Sequence, residues 1–175
     1  MKDIRFKVVL GMILAAAVVR LLPHPPNFTP IGAMALFGAA RFRDWRVGFL
    51  APLAALTLSQ FAIGSFYLFP VIVLAFVMES CIGLFLRRRR GMLPVSAAVL
   101  GGSAVFFLVT NFAVWAAGGY PHTPGGLMAC YAAGIPFFWN TFGGDAVYSA
   151  ILFGGFALAE RRFPILREAN IPSAA

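Results

Sequence analysis

The stretch LPVSAAVLGGSAVFFLVTNFAVWAA, Leu93 to Ala117, runs for 25 residues without a charged side chain, and the four arginines Arg87 to Arg90 stand just before it. A helix crosses the roughly 30 Å hydrocarbon core of a bilayer with about 20 mostly apolar residues. Short cytoplasmic loops retain Lys and Arg. The stretch therefore reads as a membrane-spanning helix entered from the cytoplasmic side.

Working back from it, a span over about Tyr67 to Leu86 closes on the same arginines, and the Gly64-Ser65 break separates it from a third span over about Val47 to Ile63. The preceding apolar run, Ile31 to Ala40, is ten residues long. It spans only by recruiting Phe28 to Pro30 and Phe42; otherwise it is a half-helix. The first span covers about Val8 to Leu22 and ends against Pro23, His24, Pro25 and Pro26, where clustered prolines remove backbone donors. Lys2, Arg5, Lys7 and the small residues Ala15 to Ala17 also fit a signal peptide, but the apolar run continues past Arg20 to Leu22, so it is read as uncleaved. Working forward, Thr141 to Glu160 makes the sixth span, closed by Arg161 and Arg162. Gly118 to Asn140 is a Gly- and Pro-punctuated connection, with a short outer-surface helix expected over Leu127 to Ile135.

Six spans with the N-terminus inside make Met1 to Lys7, Arg41 to Arg46, Arg87 to Arg90 and the tail from Arg161 the cytoplasmic segments. They hold 13 of the 14 Lys and Arg residues, leaving only Arg20 at the outer end of the first span. A missed span would break this alternation. The expected fold is an all-α integral membrane protein: one domain over residues 1–175, a compact bundle of about six transmembrane helices with both termini cytoplasmic. Hydrophobic residues make up 61% of the chain and charged ones 11%, against about 25% charged in a soluble domain. The net charge of +8 falls between apolar runs, not on one polar face as in a nucleic-acid binder. The expected partner is the lipid bilayer and not nucleic acid. Cys81 and Cys130 have no metal-ligand or CxxC spacing, so neither a zinc site nor a disulfide framework is expected.

Polar residues inside the apolar runs point to function. A charge at mid-membrane costs on the order of 3 kcal/mol, and Glu79 and Asp145 are the carboxyl groups lying away from the cytoplasmic boundary. Asp145, about one turn into the sixth span after Gly143-Gly144, reads as shallow; Glu79 reads as deeper, either a hydrogen-bonded interhelical group or a functional one. Gln60, Asn111, Asn140 and Asp145 fall in outer halves of spans, His24, Asn27 and Thr29 in the first outer loop, and Tyr120 and His122 in the last. Trp139 stands beside Asn140 at the outer interface. An outward pocket lined by aromatics and a few hydrogen-bonding groups suits capture of a small solute; the alternative is a set of polar caps at headgroup level. The small residues Gly32, Ala33, Ala35, Gly38, Ala39 and Ala40 make Ile31 to Ala40 a close-packing surface, for an internal contact or for a partner protein. No GxSxG, HExxH or P-loop sequence occurs, so neither an enzyme nor an autonomous ATP-driven pump is expected, and no cofactor.

RLLPHPPNFTPIGAMALFGA, Arg20 to Ala39, with VTNFAVW (109–115), YPHT (120–123), ACY (129–131), PFF (136–138) and NT (140–141), resembles a bacterial family of uncharacterised transport proteins classed as a domain of unknown function. That family is similar in size and span count to the substrate-binding subunits of energy-coupling-factor vitamin transporters, which take a solute from outside and borrow an ATP-driven module. The resemblance implies a multi-pass protein of the bacterial cytoplasmic membrane that binds a small, vitamin-like solute, with an ATP-driven transport module or another membrane protein as partner. In the family an acidic residue often follows Leu58-Ser59 and a basic one often precedes Asn140-Thr141; here those positions hold Gln60 and Trp139. Some solitary cobalamin uptake proteins of this broad type contact cobalt through a membrane cysteine, which singles out Cys81. The expected solute-binding residues are His24, Asn27, Thr29, Gln60, Asn111, Trp139, Asn140 and Asp145. The alternatives are a structural or assembly subunit docking through its second span, and an enzyme acting on lipid through His24, His122 and Asp145.

Overall fold

The computed structural model describes residues 2–64, 67–89 and 91–167, without the side chains of residues 2, 3 and 61–63. Ser65, Arg90 and the tail beyond 167 lie outside the described residues. The described residues are all helical or irregular, with no strand. We number the helices α1 (Lys2–Val19), α2 (Ile31–Arg41), α3 (Trp45–Ile63), α4 (Phe69–Phe85), α5 (Met92–Gly119) and α6 (Pro124–Arg162).

Helices α5 and α6 are long and apolar enough to cross a membrane. They form an antiparallel hairpin. Trp115 to Gly119 closes α5 as a π-helical turn in which Gly118 takes φ 87°, a left-handed conformation that suits glycine. Thr123 then caps α6, its hydroxyl accepting the Gly126 N–H at 3.1 Å. The turn is stitched by Trp115 Nε1 donating to the Pro121 carbonyl at 3.0 Å and by His122 Nε2, 3.0 Å from the Trp115 carbonyl.

The continuity of α6 corrects the expectation of a separate surface helix over Leu127 to Ile135 followed by a span from Thr141. Pro136 sits inside the helix, where it forfeits one backbone hydrogen bond. Contacts with α5 hold the helix together on either side of it. Cys130 Sγ reaches the Asn111 carbonyl at 3.3 Å, Tyr131 Oη donates to the Leu108 carbonyl at 2.9 Å, and Phe107 packs between Tyr131 and Phe138. Gly134 lets Asn111 approach so closely that a Cβ there would lie 2.9 Å from Asn111 Cγ. These glycines are packing contacts, not breaks.

Helix α2 is the centre of the bundle. Every residue from Ile31 to Ala40 is buried, because α3, α4, α5, α6 and α1 all pack around it. At 11 residues it rises only about 16 Å, so it is the half-helix that its length allowed. Its small residues make this possible: Gly83 of α4 faces the Leu36 carbonyl, with room for a Cβ only 2.6 Å away, and Gly38 meets the Gly48 carbonyl at 2.7 Å in the same sense. The stripe is therefore used up on internal contacts and offers no surface to another protein. Phe37 stacks edge-on against Phe153 and Phe156 of α6, with centroids 5.2 and 5.7 Å away.

The two ends of the bundle differ. At one end Arg5 donates to Glu160 Oε1 at 3.0 Å and to the Leu166 and Arg41 carbonyls at 2.6 and 3.1 Å, while Arg87 donates to the Phe42 carbonyl at 3.0 Å and to the Arg43 carbonyl. The N-terminal helix, the 42–44 connection, the end of α4 and the chain after α6 thus meet there. We call this the arginine face. The opposite end carries the 20–30 connection and the α5–α6 turn, and we call it the loop face.

Candidate functional site

The N-terminus of α2 is wrapped by two carboxyl groups. Asp145 of α6 is 3% exposed and Glu79 of α4 is 0% exposed, and both converge on Gly32. A Cβ on Gly32 would lie 2.6 Å from Glu79 Oε2 and closer still to Asp145 Oδ1. Only glycine fits there. Asp145 is well supplied with donors: Ser103 of α5 gives its hydroxyl to Oδ2 at 2.7 Å, and the Ala33 N–H at the start of α2 also bonds it. The first N–H groups of a helix lack internal partners and favour anions. Glu79 has no donor on either oxygen. Gly102 of α5 lies against its Cγ, with a built Cβ 3.3 Å away.

Because α6 starts at Pro124, Asp145 stands about six turns along it, buried beneath the 20–30 connection. That connection is held onto α6 by Asn140 Nδ2, which donates to the Pro26 carbonyl at 3.0 Å. Gly143 and Gly144 let it lie close: Phe28 reaches Gly143, and Thr29 N would be 3.0 Å from a Cβ on Gly144. Asn27 takes φ 65° to turn the chain, a conformation asparagine tolerates better than most residues.

A cavity of about 90 Å³ runs down beside this connection to Asp145 and Gly32, its polar wall formed by Arg20, Asn27, Thr29, Gln60 and Thr141 and its apolar wall by Ile72, Phe76 and Phe106. A wider cleft of about 380 Å³ adjoins it, sharing Asn27, Ile72 and Phe106 and extending between α5 and α6 to Asn111, Tyr120 and Phe137. Arg20, the one basic residue outside the cytoplasmic set expected from sequence, is anchored in the cavity wall. Its guanidinium donates to Ser59 Oγ, to the Leu56 carbonyl at 3.2 Å and to Gln60 Oε1 at 3.4 Å.

Of the expected residues, Asn27, Thr29, Gln60 and Asp145 line the inner cavity and Asn111 lines the cleft. Three are not in either wall. The ring nitrogens of His24 lie 3.0 and 3.1 Å from the Pro25 and Arg20 carbonyls, so it shapes the connection. Asn140 is the latch on Pro26. Trp139 is 61% exposed and faces away, one residue round the helix from that latch. Gln60 pairs with Arg20 and not with position 139. Cys81 faces outward from α4, so it is not a cavity ligand; Cys130 is the buried cysteine. His24, His122 and Asp145 have separate partners and form no common site. Sequence reasoning missed Thr141, Phe76 and Phe106, and the convergence of Glu79 and Asp145 on Gly32; the mid-span charge at Glu79 was the available signal.

A model of a family of unknown function, DUF6580, matches residues 1–166. The chain belongs to that family. No curated protein and no solved structure matches this DUF6580 chain.

Proposed function

We propose that this DUF6580 protein is a six-helix protein of a bacterial cytoplasmic membrane, in which the 20–30 connection and the short α2 together make one crossing, and that it binds a small solute from the outer side as part of its uptake. In this reading the arginine face is cytoplasmic and the loop face is outside, as the basic-residue pattern requires. The supporting observation is the cavity that leads from the loop face to a buried, donor-rich carboxylate through walls contributed by distant parts of the chain. Its shape indicates the solute class. The inner 90 Å³ carries Arg20, Asn27, Thr29, Gln60, Thr141 and Asp145 in a wall that is otherwise apolar and suits a small hydrogen-bonding head, and the adjoining 380 Å³ is more apolar still, within the size range of small-molecule sites. A compact amphiphile, polar at one end and apolar or aromatic at the other, fits this profile. An ATP-driven module shared with other membrane proteins would supply the energy, as in the energy-coupling-factor systems it resembles.

Native mass spectrometry of the protein purified in mild detergent tests the reading. A small molecule should accompany the wild type and be lost from Thr141→Trp, which plugs the inner cavity. A ligand-free wild type carrying a stoichiometric protein partner would instead support an assembly subunit.

A further inference from the structure

We infer that Glu79 and Asp145 form a single proton-binding site at the bottom of the cavity, one that exchanges its proton with the loop-face side. The inference stands on the pair and the cavity, whether or not the cavity holds a solute. Asp145 receives Ser103 Oγ at 2.7 Å and the Ala33 N–H, the surroundings a carboxylate needs. Glu79 is fully buried and receives nothing on either oxygen, and a charged carboxylate stripped of water and donors is among the costliest groups to bury. The two side chains share one point over Gly32. A proton on Glu79 Oε2 can there be donated to Asp145 Oδ1, giving Glu79 its missing bond and leaving one negative charge shared by the pair.

A metal cation suits the place less well. Hard cations collect several oxygens, whereas here two carboxyl groups converge and Asp145 already faces two donors, the Ser103 hydroxyl and the Ala33 N–H, whose hydrogens a cation at the same oxygens would meet. No group of three or more His, Cys, Asp or Glu able to hold a metal occurs among the described residues. The pair also titrates with few neighbours. Helix α5 carries no titratable side chain, α2 has only Arg41 at its arginine-face end, and α3 has only Arg46 at its start. Besides Asp145, the titratable groups of α6 on this side of the π-turn are Cys130, Tyr131 and Tyr148. Arg20 lines the upper cavity but is tied to Leu56, Ser59 and Gln60. Asp145 lines the cavity itself, which gives the proton its route. Buried carboxyls of this kind in membrane bundles carry proton relays, and a cationic or proton-donating solute head arriving at Asp145 would meet the same shared proton.

Infrared difference spectroscopy of the full-length protein in lipid, stepped from acid to alkaline buffer, tests this. One carboxylic C=O band should persist after the exposed carboxyls have ionised, be absent from Glu79→Gln, and be indifferent to sodium. In Asp145→Asn its midpoint should fall by about one pH unit or more, a roughly tenfold weaker hold on the proton, because the acceptor's charge is gone. The inference is overturned by a band that survives Glu79→Gln, by one that sodium abolishes at fixed pH, or by an unmoved midpoint in Asp145→Asn; the last decides the matter even if Glu79→Gln fails to fold.

Discussion

Replacing Gly32 by alanine adds one methyl group at the tightest point of the bundle. The new Cβ would lie 2.6 Å from Glu79 Oε2 and nearer to Asp145 Oδ1, well inside the 3.5–4.0 Å of a favourable contact. Relief requires moving a carboxylate that Ser103 and Ala33 hold in place, or moving α2, which is packed on every side. Overpacking of this kind costs about 1–3 kcal/mol. The glycine-to-alanine gain in helix propensity partly offsets it, and Gly101→Ala isolates that gain, since nothing lies within 4 Å of a Cβ at Gly101. At about 2–4 °C per kcal/mol for a chain of this length, Gly32→Ala should melt roughly 2–12 °C below Gly101→Ala. The assay is thermal unfolding in detergent, followed by loss of the monodisperse peak. Equal melting of the two variants would refute the convergence of the two carboxyls on Gly32.

Arg5→Ala should destabilise by about 2–4 kcal/mol, because it removes a mostly buried guanidinium together with its bonds to Glu160 and to the Leu166 and Arg41 carbonyls; an unchanged melting temperature would show that the arginine-face cluster does not hold. Asn27→Val should cost about 1–2 kcal/mol through its left-handed backbone, and Asn27→Gly should melt like the wild type; the reverse order would contradict the turn. A lipid-soluble maleimide should modify Cys81 in the folded protein and reach Cys130 only on unfolding, as peptide mapping would reveal; early modification of Cys130 would contradict the α5–α6 packing.

Helices α1, α3, α4 and α5 were legible because each is an apolar run ended by a local signal: the prolines after Leu22, the Gly64 break, the arginines from Arg87. Helix α6 was not, because Pro136 and the glycines at 125, 126 and 134 are breakers by local rule. The structure uses Gly126 and Gly134 as contact points for Pro121 and Asn111. Nothing local distinguishes the two uses. The same limit governs the site. Asn27, Thr29, Gln60 and Asp145 were visible as polar residues in apolar surroundings, although the helix that carries Asp145 starts at Pro124 and not near Thr141. Glu79 and Asp145 converge on Gly32 from two helices with a third between them, and no spacing in the chain encodes that.

The membrane arrangement is the claim on which the rest depends, and cysteine labelling from each side tests it most directly. In a background lacking Cys81 and Cys130, His122→Cys on the loop face and Arg88→Cys on the arginine face are exposed to a membrane-impermeant thiol reagent. The account predicts that position 122 labels in intact cells and position 88 only in inverted vesicles. Labelling of both from the same side, or in the opposite pattern, would contradict it.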